Sequence, residues 1–109
     1  MKVAIIGSRG ISDVSIDNYI PPDATLIISG GAIGVDRLAE RYADKHGIKK
    51  LILLPQYEIY GKSAPLIRNK QIVDNADLVI AIWDGVSRGT QYTIDYAKRR
   101  NVPCEIYIV

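Results

Sequence analysis

The sequence has a single cysteine, a single histidine and no phenylalanine. Cys104 by itself can form neither an internal disulfide nor a cysteine metal cluster. No apolar run approaches the ~20 residues of a transmembrane helix. The N-terminal apolar segment reaches Gly7 too early to be a signal peptide. We therefore expect a cytoplasmic protein with no membrane contact, no metal site and no required cofactor.

An excess of one charge sign is also missing. Lysine and arginine total 14 and aspartate and glutamate total 12, which gives a net charge of +2. This small excess argues against a nucleic-acid partner, because phosphate backbones are recognised by clustered basic residues. With 48% hydrophobic and 24% charged residues, and neither repeat nor linker, we expect one globular domain over residues 1–109.

The sequence does contain five short, nearly unbroken apolar runs, at 2–6, 25–28, 50–54, 78–82 and 105–109. Such runs are typical of strands buried on both faces of a parallel sheet. Helical patterns lie between them at Val35–His46, at 64–75 with Ser63 as N-cap, and from 90 to about 100. This alternation predicts a three-layer, doubly wound, Rossmann-like α/β fold with strand order 3-2-1-4-5.

Glycine-containing turns follow the first, second and fourth predicted strands, at residues 7–10, 29–36 and 84–90. In the predicted order, the sheet reverses between strands 1 and 4, and ligands bind at the carboxyl ends of strands beside such a point. Helix starts there offer unpaired N–H groups and a positive dipole end, which favour phosphate. We therefore expect the carboxyl edge to bind a nucleotide or nucleotide-derived phosphate ligand, in the role of a sensor.

The expected ligand contacts divide by chemistry. Glycine turns bring backbone donors to phosphate, while hydroxyl and cationic side chains add further contacts. Asp36 either accepts a sugar hydroxyl or only complements the helix dipole. The expected ligand-binding residues are Gly7, Ser8, Arg9, Ser29, Gly30, Gly31, Gly34, Asp36, Lys62, Arg68, Asn69, Ser87, Arg88, Gly89 and Thr90.

Several side chains have two interpretations. Tyr57 and Tyr60 lie in a long predicted loop, where they either stack on a base or pack a lid. Trp83 either stacks on the ligand or belongs to the core. His46 lies on an apolar helix face, and we interpret it as a packed residue.

Taken together, the motifs resemble those of the SLOG superfamily, and the YspA-related branch is the best match. This Rossmann-like group includes the LOG phosphoribohydrolases and the DNA-processing protein A domain. The matching segments are GSR at 7–9, SGGAIGVD at 29–36, YGKSAPLIRN at 60–69 and DGVSRGT at 84–90. The resemblance implies a Rossmann-like fold, a nucleotide-derived ligand and a homodimer.

The sequence departs from the LOG signature PGGxGTxxE at one position. Arg68 matches the arginine that LOG enzymes carry on the preceding helix, but Thr93 stands where their glutamate would be. Threonine cannot act as a carboxylate base. A nucleotide hydrolase that uses Arg68 with Asp36 or Asp84 stays open as an alternative, as does a single-stranded DNA-binding module. Magnesium would enter only with a phosphate ligand.

Overall fold

The computed structural model describes residues 1–109. Five parallel strands form one sheet in the order β3-β2-β1-β4-β5. They are β1 (Lys2–Gly7), β2 (Leu26–Ser29), β3 (Lys49–Ile52), β4 (Leu78–Trp83) and β5 (Cys104–Ile108). The predicted order is confirmed, and the direction of sheet growth reverses between β1 and β4.

The helices are α1 (Val35–His46), α2 (Tyr57–Tyr60), α3 (Ala64–Asp74) and α4 (Arg88–Arg99), with 3₁₀ turns at Asp17–Tyr19 and Gly61–Ser63. The predicted bounds of α1 are confirmed, and its C-terminus is closed by Gly47 in the left-handed conformation at φ 66°. No helix combines the length and the apolar content that a membrane crossing requires.

Both faces of the sheet are buried, because successive strand side chains point to opposite sides. One face packs on α1 and on the 3₁₀ turn region through Val3, Ile5, Ile27, Ile80 and Ile82. The other face packs on α3 and α4 through Ala4, Ile6, Ile28, Val79 and Ala81. This arrangement is the predicted three-layer α/β fold.

Two local details differ from what the sequence predicts, although Ser63 does occupy the predicted N-cap position of α3. The segment between β3 and α3 is not a plain loop but contains α2 and a 3₁₀ turn. A four-residue helix is too short to show helical periodicity in a sequence. Ser63 precedes α3 without making a side-chain capping bond, because its own backbone is already helical (φ −81°, ψ −8°). An N-cap side chain acts from an extended backbone.

Gly7, at the end of β1, allows α1 and β4 to approach the strand closely. A Cβ atom at this position would lie 2.6 Å from Val35 Cγ2 and would also collide with the Ile82 carbonyl. Gly10, three residues later, has open space around the same position. The close approach at Gly7 fixes where the loop after β1 begins.

We expect Gly7→Ala to lower the free energy of unfolding by about 1–3 kcal/mol, the usual cost of forcing extra volume into a packed interior. Gly10→Ala is the matched control, and it should stay within about 1 kcal/mol of wild type. Urea denaturation of the three proteins measures this difference. Equal stabilities for Gly7→Ala and wild type would contradict the close packing described here.

Candidate functional site

A cleft of about 450 Å³ opens at the carboxyl ends of β1 and β4, where the strand order reverses. This is the position at which doubly wound sheets bind ligands. The loop after β1, the turn before α1, the helix α3 and the β4–α4 loop all contribute to its walls. The expected site residues that line it are Gly7, Ser8, Arg9, Asp36, Arg68, Asn69, Asp84, Ser87, Gly89 and Thr90.

Six of the expected residues do not line the cleft, namely Ser29, Gly30, Gly31, Gly34, Lys62 and Arg88. Lys62 is exposed on the 3₁₀ turn before α3. Ser29 is fully buried, and its hydroxyl donates to the Asp36 carbonyl at 3.3 Å. The sequence therefore predicted which turns surround the cleft. Tertiary packing decides which residues of those turns line it.

The β4–α4 loop is held by the Asp84 carboxylate. Its Oδ1 accepts the N–H groups of Val86 at 2.9 Å and Ser87 at 2.8 Å. These hydrogen bonds hold the pKa of Asp84 below its ordinary value, because they favour the charged form. Trp83 donates its indole N–H to the Ser87 carbonyl at 3.1 Å and does not line the cleft, so it braces the loop from outside.

The first turn of α4 forms one wall of the cleft. The amide N–H groups of Arg88, Gly89 and Thr90 make no hydrogen bond within the chain. Unpaired amides and the positive end of the helix dipole give this turn a preference for anions. A Cβ atom added to Gly89 would meet nothing within 4 Å, which shows that the space beside the turn is open.

Hydroxyl groups connect β1 to α4 at the same wall. Ser8 Oγ lies 2.9 Å from Ser87 Oγ and accepts the N–H of Asp84 at 3.1 Å. Ser87 Oγ in turn donates to Thr90 Oγ1 at 3.0 Å. Ser8 and Thr90 are only 2% and 6% exposed, so this hydrogen-bond network is part of the packed cleft wall and is not dissolved in bulk water.

On the opposite side, Asp36 reaches back into the glycine turn that precedes α1. Its Oδ2 accepts the N–H of Ala32 at 3.1 Å. Burial raises the pKa of Asp36 above its ordinary value, although the hydrogen bond from Ala32 and the nearby Arg68 oppose that shift. Asp36 is therefore a buried carboxyl at the cleft surface and more than a solvated charge at a helix start.

The three glycines of that turn are packed against the chain itself. A Cβ at Gly30 would lie 2.9 Å from Asp36 Oδ2, and one at Gly31 would lie 2.7 Å from Leu54 Cδ2. Gly34 approaches the backbone of Arg9 equally closely. Close intramolecular packing thus accounts for the glycines at these positions.

Arg68 of α3 joins three parts of the site. Its Nη1 donates to the carbonyls of Gly30 and Leu53, and its Nε donates to Asn69 Oδ1 at 2.9 Å. Burial lowers the pKa of Arg68 from its ordinary value, and the neighbouring Asp36 partly opposes this shift. The guanidinium therefore anchors α3 to the ends of β2 and β3 while it lines the cleft.

Sequence reasoning missed the apolar wall that α3 contributes. Pro65, Leu66 and Ile72 line the cleft, together with Tyr57 from α2. A signal was present in the helical spacing, since residues 65, 68, 69 and 72 share one face of a helix that carries Arg68. Thr93 also lines the cleft, but its hydroxyl donates to the Gly89 carbonyl at 2.9 Å.

Neither a family model nor a curated protein matches the sequence. Among solved structures, the X-ray structure of DNA processing protein A (DprA) from Streptococcus pneumoniae is similar, with a TM-score of 0.75 and 21% sequence identity. The match covers 96% of this chain and 49% of that one, so this chain spans about half the length of that protein. The similarity shows a shared Rossmann-like fold. Membership of the YspA-related branch stays a prediction.

The raised pKa of Asp36 predicts a pH dependence with a definite sign. The native state holds the Asp36 proton more tightly than the unfolded chain, whose ordinary pKa is 3.8. The stability of wild type relative to Asp36→Asn should therefore fall as the pH rises from about 3.8 through the native pKa, and then stay constant. Urea denaturation at successive pH values measures this difference.

Asparagine keeps the acceptor for the Ala32 N–H, so the comparison isolates the charge of Asp36. Subtracting the two curves also cancels the opposite slope that the lowered pKa of Asp84 contributes to both proteins. A stability difference that does not change with pH, or one that grows as the pH rises, would contradict the burial of this carboxyl.

Proposed function

We propose that the cleft binds a nucleotide or nucleotide-derived phosphate ligand and that the protein acts as a sensor of it. The proposal rests mainly on the unpaired backbone amides in the first turn of α4. Gly89 and Thr90, whose amides are unpaired, line a cleft located at the reversal of the sheet, and the unpaired amide of Arg88 precedes them in the same turn. Amides and dipole together form an arrangement that favours phosphate.

The rest of the cleft suits the other parts of such a ligand. Arg9 is exposed in the loop after β1, where its guanidinium can pair with phosphate oxygens. Tyr57, Pro65 and Leu66 supply an apolar surface for a base or a sugar ring. In this proposal Asp36 accepts a sugar hydroxyl, and magnesium enters only as the companion of a di- or triphosphate.

The proposal predicts ligand-dependent stabilisation. Melting temperatures should be measured with AMP, ADP, ADP-ribose, NAD, cyclic nucleotides and ribose 5-phosphate. A ligand at 100 times its Kd adds about 2.7 kcal/mol to the free energy of unfolding, which gives a readily visible shift. No shift with any member of this panel would contradict the proposal.

The role of the α4 turn is tested by Gly89→Leu, which places a side chain in the open space beside the unpaired amides. We expect it to weaken binding of the best panel ligand by about tenfold or more, since a misplaced phosphate loses charge-assisted hydrogen bonds. The matched control is Asp95→Leu, an exposed position on the same helix outside the cleft. Equal affinities for both variants would exclude this turn as the phosphate site.

A hydrolase is a second candidate, and it is favoured by one observation. The cleft holds two carboxyls, and the pKa of Asp36 is raised while that of Asp84 is lowered. Such a divergence is what an acid–base pair requires. If the candidate is correct, a bound nucleotide is converted to product, and Asp36→Asn abolishes turnover while it retains binding. Chromatography of the reaction mixture decides between catalysis and binding alone.

The similar solved structure is that of a DNA processing protein, so DNA binding is a further candidate function. A single-stranded oligonucleotide should therefore be added to the binding panel. Binding to the phosphate backbone weakens steeply as salt concentration rises, because counterions are released. The net charge of +2 supports a small-molecule ligand over an extended strand. A tight and strongly salt-dependent complex with the oligonucleotide would reverse that preference.

A further inference from the structure

The hydroxyl groups beside the first turn of α4 form a chain with a definite direction. Ser87 Oγ donates to Thr90 Oγ1 at 3.0 Å. A serine hydroxyl has one hydrogen, so the 2.9 Å bond between Ser8 and Ser87 must be donated by Ser8. The Ser8 oxygen itself accepts the N–H of Asp84 at 3.1 Å. The donors therefore point in sequence from Asp84 through Ser8 and Ser87 to Thr90.

The last hydroxyl in this chain has no acceptor within the protein. Thr90 is only 6% exposed and lines the cleft, yet its own hydrogen is donated to no residue. Thr93, one helical turn further along, differs because its hydroxyl donates to the Gly89 carbonyl at 2.9 Å. Thr90 thus offers a buried donor beside the unpaired amides of the same turn.

Asp84 shapes the loop that carries Ser87. A serine immediately before a helix ordinarily accepts an N–H of the first turn through its side chain. Ser87 makes no such capping bond. The Asp84 carboxylate binds the N–H groups of Val86 and Ser87 and so shapes the loop, while the amides of the first helical turn receive no side-chain acceptor.

We propose that Ser8 and Ser87 are positioning residues that fix the Thr90 hydroxyl as a hydrogen-bond donor toward the ligand. Each bond in such a chain polarises the next, which strengthens the terminal donor. This end of the cleft then selects an unprotonated oxyanion, the terminal oxygen of a phosphate group, over any ligand group that must itself donate. The inference rests on the proposed phosphate ligand and names how the protein would recognise it.

Inorganic phosphate is the probe for this test, titrated at constant ionic strength and followed through the amide NMR signals of Gly89 and Thr90. Thr90→Val removes the hydroxyl at nearly constant shape, and it should weaken phosphate binding about tenfold. Thr90→Ser supplies the hydroxyl again and should recover most of that loss. Sodium chloride at matched concentrations controls for non-specific anion effects.

A double-mutant cycle separates orientation of the hydroxyl from general support of the loop. Ser87→Ala should weaken phosphate binding about threefold in wild type but leave the affinity of Thr90→Val unchanged, because no hydroxyl then remains to be oriented. Equal weakening in both backgrounds would show that Ser87 only shapes the loop. This result would overturn the inference about the Thr90 hydroxyl but leave the proposed phosphate binding intact. A wild-type protein that binds no phosphate would overturn the proposed function as well.

Discussion

The contacts of Ser8 hold together the elements that build the cleft. Its N–H donates to the Ile82 carbonyl at 3.1 Å, which continues the pairing of β1 with β4 past the end of the strand. Its carbonyl accepts the N–H of Val35 at 3.4 Å, the first residue of α1. Its hydroxyl joins Asp84 and Ser87. Ser8, buried immediately after Gly7, thus fixes the positions of β1, β4 and the starts of α1 and α4 relative to one another.

The two helix starts beside Ser8 differ in how their polar groups are satisfied. At α1, the Asp36 carboxyl and the Ser8 carbonyl accept hydrogen bonds from the chain itself, and Arg68 closes the turn through the Gly30 carbonyl. At α4, the amides of the first turn make no bond within the chain. Free N–H groups at a helix start, together with the positive end of the helix dipole, favour an external anion. The cleft therefore offers its free backbone N–H donors at α4.

Prediction from sequence succeeded where short-range patterns decide the outcome. Apolar runs without polar interruption gave the strands, and the spacing of Leu38, Ala39 and Tyr42 gave α1 with its observed bounds. It failed at α2, which is too short to be periodic. It placed the N-cap of α3 correctly at Ser63 but not the absence of a side-chain capping bond, which follows from a backbone that continues a 3₁₀ turn into α3. The turns around the cleft could be located because glycine and a following helix mark them. Their glycines at 30, 31 and 34 could not be assigned, because glycine meets a ligand or the chain itself equally well.

The sequence by itself determined the α/β class, because apolar strands and helices alternate along it. The strand order was predicted by choosing the Rossmann-like arrangement for five strands, and that order placed the cleft and the loops that surround it. Only the tertiary structure decided which side chains face the cleft and in which state. Burial raises the pKa of Asp36, while two backbone N–H groups lower that of Asp84. The direction of the hydroxyl chain from Ser8 to Thr90 depends on contacts between residues 79 positions apart. No local pattern encodes such contacts, because they arise when distant segments pack together.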